Sequence, residues 1–153
     1  TLERSTPIAA HVTVDFELHG CPVDSKQLLE VLAAFVQDRR PRIPAYSVCV
    51  DCKRRGALCV AVAHGTPCLG PVTLTGCGAL CPSFGRGCYG CFGPASTPNT
   101  ESLADRLRLL GMDESQMLRV FRTFNAGAEI FRRESERHES EHHRTEQPEE
   151  VTS

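Results

Sequence analysis

Eight of the chain's nine cysteines fall between Cys49 and Cys91, and none follows Cys91. Written out, they run Cys49-x2-Cys52-x6-Cys59-x8-Cys68-x8-Cys77-x3-Cys81-x6-Cys88-x2-Cys91. This pattern divides into two groups of four, each holding one tight C-x-x-C pair. Thiolates at that spacing reach adjacent irons of one cubane, and the longer intervals let the chain wrap round to the other corners. Four thiolates per site is what a [4Fe–4S] cluster requires. Two four-cysteine zinc sites would use the same eight ligands, although zinc ribbons usually present two short knuckles per site and each group here has one. Spacing therefore favours iron–sulfur and leaves zinc open. A disulfide scaffold fits less well, because nine is odd and one thiol would be left over. Inert buried thiols would scatter through regular elements, and these do not scatter.

The segment that carries them has little means of holding itself together. Residues 41–98 contain seven of the ten prolines and nine of the twelve glycines, with little periodic apolar pattern. Few regular elements are expected there. Metal ligation then supplies the order, because binding free energy becomes folding free energy. Gly76, Gly78, Gly85, Gly87 and Gly90 let the backbone approach the ligands closely and offer N–H groups to sulfur. Pro67, Pro71, Pro82 and Pro94 fix turns between them.

The flanks read differently. His11-Val12-Thr13-Val14-Asp15-Phe16-Glu17-Leu18 alternates apolar with polar residues and predicts a strand, broken by His19-Gly20-Cys21-Pro22. Asp24-Ser25-Lys26-Gln27 is a capping-box-like start to a helix that places Leu28, Leu29, Leu32, Phe35 and Val36 on one face and ends before Pro41. One strand and one helix are too small to be stable alone. Residues 1–40 are therefore read as the terminal strand–helix piece of a larger α/β domain, and the chain as a fragment. Cys21 stands where such domains place ligands, at the carboxyl end of a strand; the plain alternative is a buried structural thiol.

After Pro98, Asn99 or Thr100 caps a helix with Leu103, Leu107 and Leu110 in register, stopped by Gly111. Asp113-Glu114-Ser115-Gln116 starts a longer one with Leu118, Phe121, Phe124 and Phe131 on its apolar side. Residues 99–133 thus read as a helical hairpin. The polar residues 134–153 read as a disordered tail or a frayed helix end, in which His138, His142 and His143 are solvated rather than metal-bound. The fold class expected is α+β with much irregular loop: the strand–helix piece, a two-cluster segment over 41–98, then the hairpin. A net charge of -2 argues against nucleic acid as the main partner. No apolar run approaches the roughly 20 residues of a membrane span, and the longest, Leu28 to Val36, is interrupted by Glu30.

Five stretches are distinctive together: Val14-Asp15-Phe16-Glu17-Leu18-His19-Gly20-Cys21-Pro22, Cys49-Val50-Asp51-Cys52-Lys53-Arg54-Arg55-Gly56, Cys68-Leu69-Gly70-Pro71-Val72-Thr73, Gly76-Cys77-Gly78-Ala79-Leu80-Cys81-Pro82 and Gly87-Cys88-Tyr89-Gly90-Cys91. They resemble the small subunit of cytosolic [NiFe] hydrogenases of the bidirectional, NAD(P)-linked kind, also called the sulfhydrogenase delta subunit. The resemblance covers roughly residues 10–130. It implies a flavodoxin-like domain upstream, holding a proximal cluster whose last ligand is Cys21. It further implies that Cys49, Cys52, Cys59 and Cys68 hold a distal [4Fe–4S] cluster and Cys77, Cys81, Cys88 and Cys91 a medial one. Membrane-bound relatives have His where Cys49 stands and Pro near where Cys81 stands; with Cys at both positions, both clusters are expected to be [4Fe–4S]. The implied protein is cytoplasmic and part of a hetero-oligomer. Its expected partners are a [NiFe] large subunit and flavin/iron–sulfur NAD(P)-reducing subunits, and it would carry electrons between them without an active site of its own. The rival is a non-enzymatic interaction module folded by two structural zinc sites.

Three features carry weaker expectations. Lys53-Arg54-Arg55 lies inside the first cysteine group and either steadies a reduced cluster, docks a partner or forms a solvated turn. His64 is near Cys68 in sequence and reads as an exposed loop residue. The run Arg39-Arg40-Pro41-Arg42 has no assigned partner.

Overall fold

The computed structural model describes residues 6–146, and among these there are helices and isolated β-bridges but no strand. Helix α1 spans Ser25–Val36, with the Asp24 carboxylate accepting from the Gln27 N–H at 2.9 Å. It stops where Asp38 takes a positive φ of 50°. Arg39 then turns back to grip Glu30 through both guanidinium nitrogens, at 2.5 and 3.0 Å, while the Arg42 N–H reaches the same carboxylate at 2.8 Å. The basic run thus has an intramolecular partner. Arg39, followed by the Arg42 amide, holds the Glu30 carboxyl down at about 2.

The expected strand at 11–18 is not formed. A strand exists by its ladder, and no extended neighbour pairs with this segment among the described residues. What anchors it instead is an aromatic contact, Phe16 standing edge-on to Phe35 with centroids 6.0 Å apart. Nor does α1 bury the face its periodicity predicts. It turns Gln27, Val31 and Ala34 inward, while Leu29 is 66% and Val36 88% exposed. The Gln27 amide donates to the Thr75 carbonyl at 3.3 Å, which docks α1 on the cysteine-bearing body.

That body is built from short pieces: α2 (Val48–Arg54), α3 (Val60–Ala63), a 3-10 turn at Gly70–Val72 and α4 (Leu80–Ser83). A narrow backbone weave joins them. Residues 72–75 lie between two other segments, Val48 N–H bonding Thr73 O and Thr75 N–H bonding Tyr46 O on one side, Leu74 N–H bonding Gly93 O and Ala95 N–H bonding Val72 O on the other. These bonds bring together the chain segments next to Cys49, Cys77 and Cys91.

Three helices follow where the sequence predicts two. Helix α5 spans Thr100–Leu109, capped by Asn99, whose side chain accepts from the Ser102 N–H, and is followed by Gly111 at φ 87°. Helix α6 spans Glu114–Arg122 and opens with a full capping box between Asp113 and Gln116. The predicted longer helix breaks there. Asn125 takes a φ of 53° and donates its side-chain amide to the Gly90 carbonyl at 2.9 Å, tying the break to the cysteine body. Phe131 therefore lies on a separate helix, α7, spanning Glu129–Glu146.

Residues expected to begin a disordered tail at 134 are helical as far as Glu146; the rest of the predicted tail lies outside the described residues. Burial explains it. Glu134, Ser135 and His138 are buried on α7, and the His138 ring stacks on Phe121 at 6.1 Å. Leu103, Leu107, Met117, Phe121 and Phe131 form the core of the three helices, and Leu69 and Val72 from the cysteine body are buried in the same cluster.

Candidate metal centre

Cys49 and Cys52 sit one turn apart on α2, which puts both thiols on one side of the helix. Cys59 caps α3 and Cys81 lies within α4, while Cys68, Cys77, Cys88 and Cys91 occupy the intervening loops. All nine cysteines are free thiols. Cys88 is buried, Cys21 and Cys59 are exposed, and the other six are half-buried.

The thiols crowd one another. Cys49 feels Cys68, Cys52 and Cys59, whereas Cys91 feels Cys77, Cys81 and Cys21. Cys88 faces both sets, through Cys68 and Cys77. Burial first, and then the negative charge of these neighbours, pushes the Cys49 thiol up to about 11 and the Cys88 thiol up to about 12. The Cys52, Cys81 and Cys91 thiols are raised for the same reasons, with Arg86 opposing the rise at Cys81. Without a counter-charge these groups stay protonated. A metal supplies that charge and deprotonates its ligands outright, so the donor set fits a metal or metal cluster.

Backbone donors are already aimed at the sulfurs. The Cys68 Sγ accepts from the Gly70 N–H at 3.4 Å and from the Cys88 N–H at 3.2 Å. The Gly90 backbone opposes the rise of the Cys88 thiol and the Cys21 backbone that of Cys91, while the Thr73 hydroxyl donates its proton to the Leu69 carbonyl at 2.6 Å. Gly90 is among the glycines singled out in the sequence; Gly70 is not, since spacing alone does not show that its N–H turns back to the sulfur two residues before it. A Cβ on Gly70 would lie 3.3 Å from the Cys68 sulfur and 3.7 Å from that of Cys49, so a side chain there would press on the Cys68 sulfur. Among the described residues no three cysteine sulfurs lie within 4.8 Å of one another. Tetrahedral zinc, with Zn–S near 2.3 Å, draws its four sulfurs to about 3.8 Å apart.

Over 118 residues the chain is 40% identical to sulfhydrogenase 2 subunit delta of Pyrococcus furiosus, a match covering 77% of this chain and 49% of that protein. It is 32% identical over 109 residues to a vhu subunit of the F420-non-reducing hydrogenase of Methanocaldococcus jannaschii (60% of this chain, 38% of that one). It is 30% identical over 121 residues to the iron-sulfur subunit of the F420-non-reducing hydrogenase of Archaeoglobus profundus (61% and 37%). The chain is a homologue of hydrogenase iron–sulfur subunits. No family model matches it. It spans about half the length, or less, of the curated relatives it matches.

The remaining polar residues of this hydrogenase-subunit homologue sort by what they touch. Arg54 lies over the Tyr46 ring at 4.8 Å, bonds its hydroxyl at 2.6 Å and pairs with Asp51 at 3.8 Å. Arg55 extends to Gly78, beside Cys77, where a Cβ would meet its Nη2 at 3.1 Å. His64 is exposed at the end of α3. His138 is not a solvated tail residue: its Nδ1 bonds Glu114 at 2.5 Å and its Nε2 bonds Glu134 at 3.0 Å. Arg108 spans Glu114 and Glu141 across the same helices, at 2.9 and 2.7 Å. This is a clasp between α5, α6 and α7. No helix among the described residues is long and apolar enough to cross a membrane.

Proposed function

We propose that the chain is an electron-transfer piece of a hydrogenase, in which Cys49, Cys52, Cys59 and Cys68 hold one [4Fe–4S] cluster and Cys77, Cys81, Cys88 and Cys91 hold another. Cys21 is one ligand of a third cluster, whose other ligands belong to a flavodoxin-like domain. The relay runs between a [NiFe] large subunit and a NAD(P)-reducing flavin partner. When bound, the clusters supply one-electron storage at low potential, with iron cycling between two formal states. The residues of this chain do the rest: they ligate, donate N–H bonds to sulfur and exclude water.

The observation that carries the reading is the seam between the two cysteine groups, where the Cys88 N–H donates to the Cys68 sulfur at 3.2 Å. Cys49 has as neighbours the other three of its group, and Cys91 has two of its own group together with Cys21. Electrostatic influence links Cys21 with Cys91, Cys91 with Cys77, Cys77 with Cys88, Cys88 with Cys68 and Cys68 with Cys49, and it also crosses between the groups at Cys52 and Cys81, which supports two centres close to one another. All-thiolate ligation places negative charge near the irons and favours low potentials, suited to exchange with a nicotinamide through a flavin.

Anaerobic purification with metal analysis tests it. A brown chain with broad absorbance near roughly 400 nm and about eight iron and eight sulfide is expected, with an EPR signal on reduction. A colourless chain holding about two zinc would overturn the reading in favour of a structural zinc module.

A further inference from the structure

Between Cys52 and Thr100 the chain has no aspartate or glutamate, and its charged residues there are Lys53, Arg54, Arg55 and Arg86. Apart from the ligand sulfurs, every formal side-chain charge in this stretch of a chain of net charge -2 is therefore positive. Arg54 is occupied by Tyr46 and Asp51. Lys53, Arg55 and Arg86 are exposed and form no ion pair among the described residues.

These cations border exposed hydrocarbon. Leu58 is 65% and Phe84 78% exposed. An open cavity of about 460 Å³ is lined by Arg55 and Leu58 and, across it, by Ser83 and Gly85, the chain neighbours of Phe84. Arg86 follows in the same turn and stands near the Cys81 sulfur. Exposed Cys59 lies next to Leu58.

We propose that this face docks an acidic redox protein, with Leu58 and Phe84 as apolar anchors and Lys53, Arg55 and Arg86 as a rim that meets carboxylates. The proposal rests on the electron-transfer reading above and adds where, and to what chemistry, the chain binds. An apolar centre inside a charged rim is the anatomy of a specific interface. Redox encounters are small, so two anchors suffice, and opposite charge steers the approach.

The probe is a plant-type [2Fe–2S] ferredoxin, an acidic electron-transfer protein, titrated into the metal-loaded chain by calorimetry at low and high salt. Binding at low salt that weakens about tenfold at high salt is expected. The triple variant Lys53→Gln, Arg55→Gln, Arg86→Gln should weaken low-salt binding by about tenfold or more and flatten the salt dependence. Phe84→Ser, at an exposed position that the fold does not need, should weaken binding at both salts while leaving the salt slope unchanged. A basic cytochrome c should not bind. Equal ferredoxin affinity of wild type and triple variant, absence of binding by the wild type, or preference for the cytochrome would each overturn the proposal. Iron and sulfide counted on the same samples decide the electron-transfer reading separately.

Discussion

A Cβ on Gly87 would run into the carbonyl oxygen of Pro67. The residues that follow these two are Cys88 and Cys68, and they are joined as closely: Cys88 N–H donates to the Cys68 sulfur at 3.2 Å, and Leu69 N–H to the Cys88 carbonyl at 2.9 Å. One seam of backbone thus fixes a ligand from each cysteine group.

Gly87→Ala should break that seam. The obstacle is backbone rather than a mobile side chain, so the cost is at least the roughly 1–3 kcal/mol typical of overpacking, a scale that unseats a small domain. Thermal unfolding and metal content check it. Gly56→Ala is the control: its φ is 65° with nothing within 4 Å, so only about 1 kcal/mol of backbone strain is expected.

Phe131→Ala should cost about 3–5 kcal/mol, because the ring is fully buried against Phe121 at 5.9 Å. Leu109→Ala, at a position 78% exposed, should change stability by about 0.5 kcal/mol or less. Urea titrations of the two variants separate the outcomes.

His138→Leu should cost about 3–5 kcal/mol, since it removes a partner from buried Glu134 and from Glu114 together. The pH dependence has a fixed sign. Burial raises the Glu134 carboxyl, but hydrogen bonds from His138 and Arg137 outweigh it and hold it at about 2. A depressed folded-state value means the stabilisation is complete above the unfolded value near 4.5 and is lost as pH falls toward 2. Unfolding followed between about pH 6 and pH 2 should show that loss in the wild type and a shallower one in His138→Leu.

Metal removal should act unevenly. Residues 46–95 rely on short turns and a few backbone bonds, whereas α5, α6 and α7 supply most of a packed core to which that body adds Leu69 and Val72. Chelation should raise amide hydrogen exchange throughout the cysteine body first, with Leu107, Met117 and Phe121 protected longer. Uniform exchange across both regions would contradict this.

What the sequence made legible was local. The caps at Asp24, Asn99 and Asp113 and the stop at Gly111 are decided by side chains within three or four residues, and each stands where its pattern placed it. The concentration of cysteines was equally plain. The misses were all long-range. Residues 11–18 alternate as a strand does, but pairing needs a neighbour that the pattern does not contain. The polar repeat after Glu134 reads as solvated until Glu114, 24 residues before His138 on another helix, supplies its buried partner. The break at Asn125 is set by the Gly90 carbonyl, 35 residues away. The meeting of Cys68 with Cys88 belongs to the same class: spacing names ligands, and only the folded backbone says which of them share a donor.

The outward face of α1 has a consequence for handling the chain. Leu29, Leu32, Phe35 and Val36 together offer water a ridge of hydrocarbon that Phe16 covers only at one end. Such a ridge gains by meeting any other apolar surface, so the chain's colloidal behaviour is set there rather than at the cysteines. Raising its concentration should drive copies together ridge to ridge, and a single charge placed at Leu32 would keep them apart without touching a sulfur.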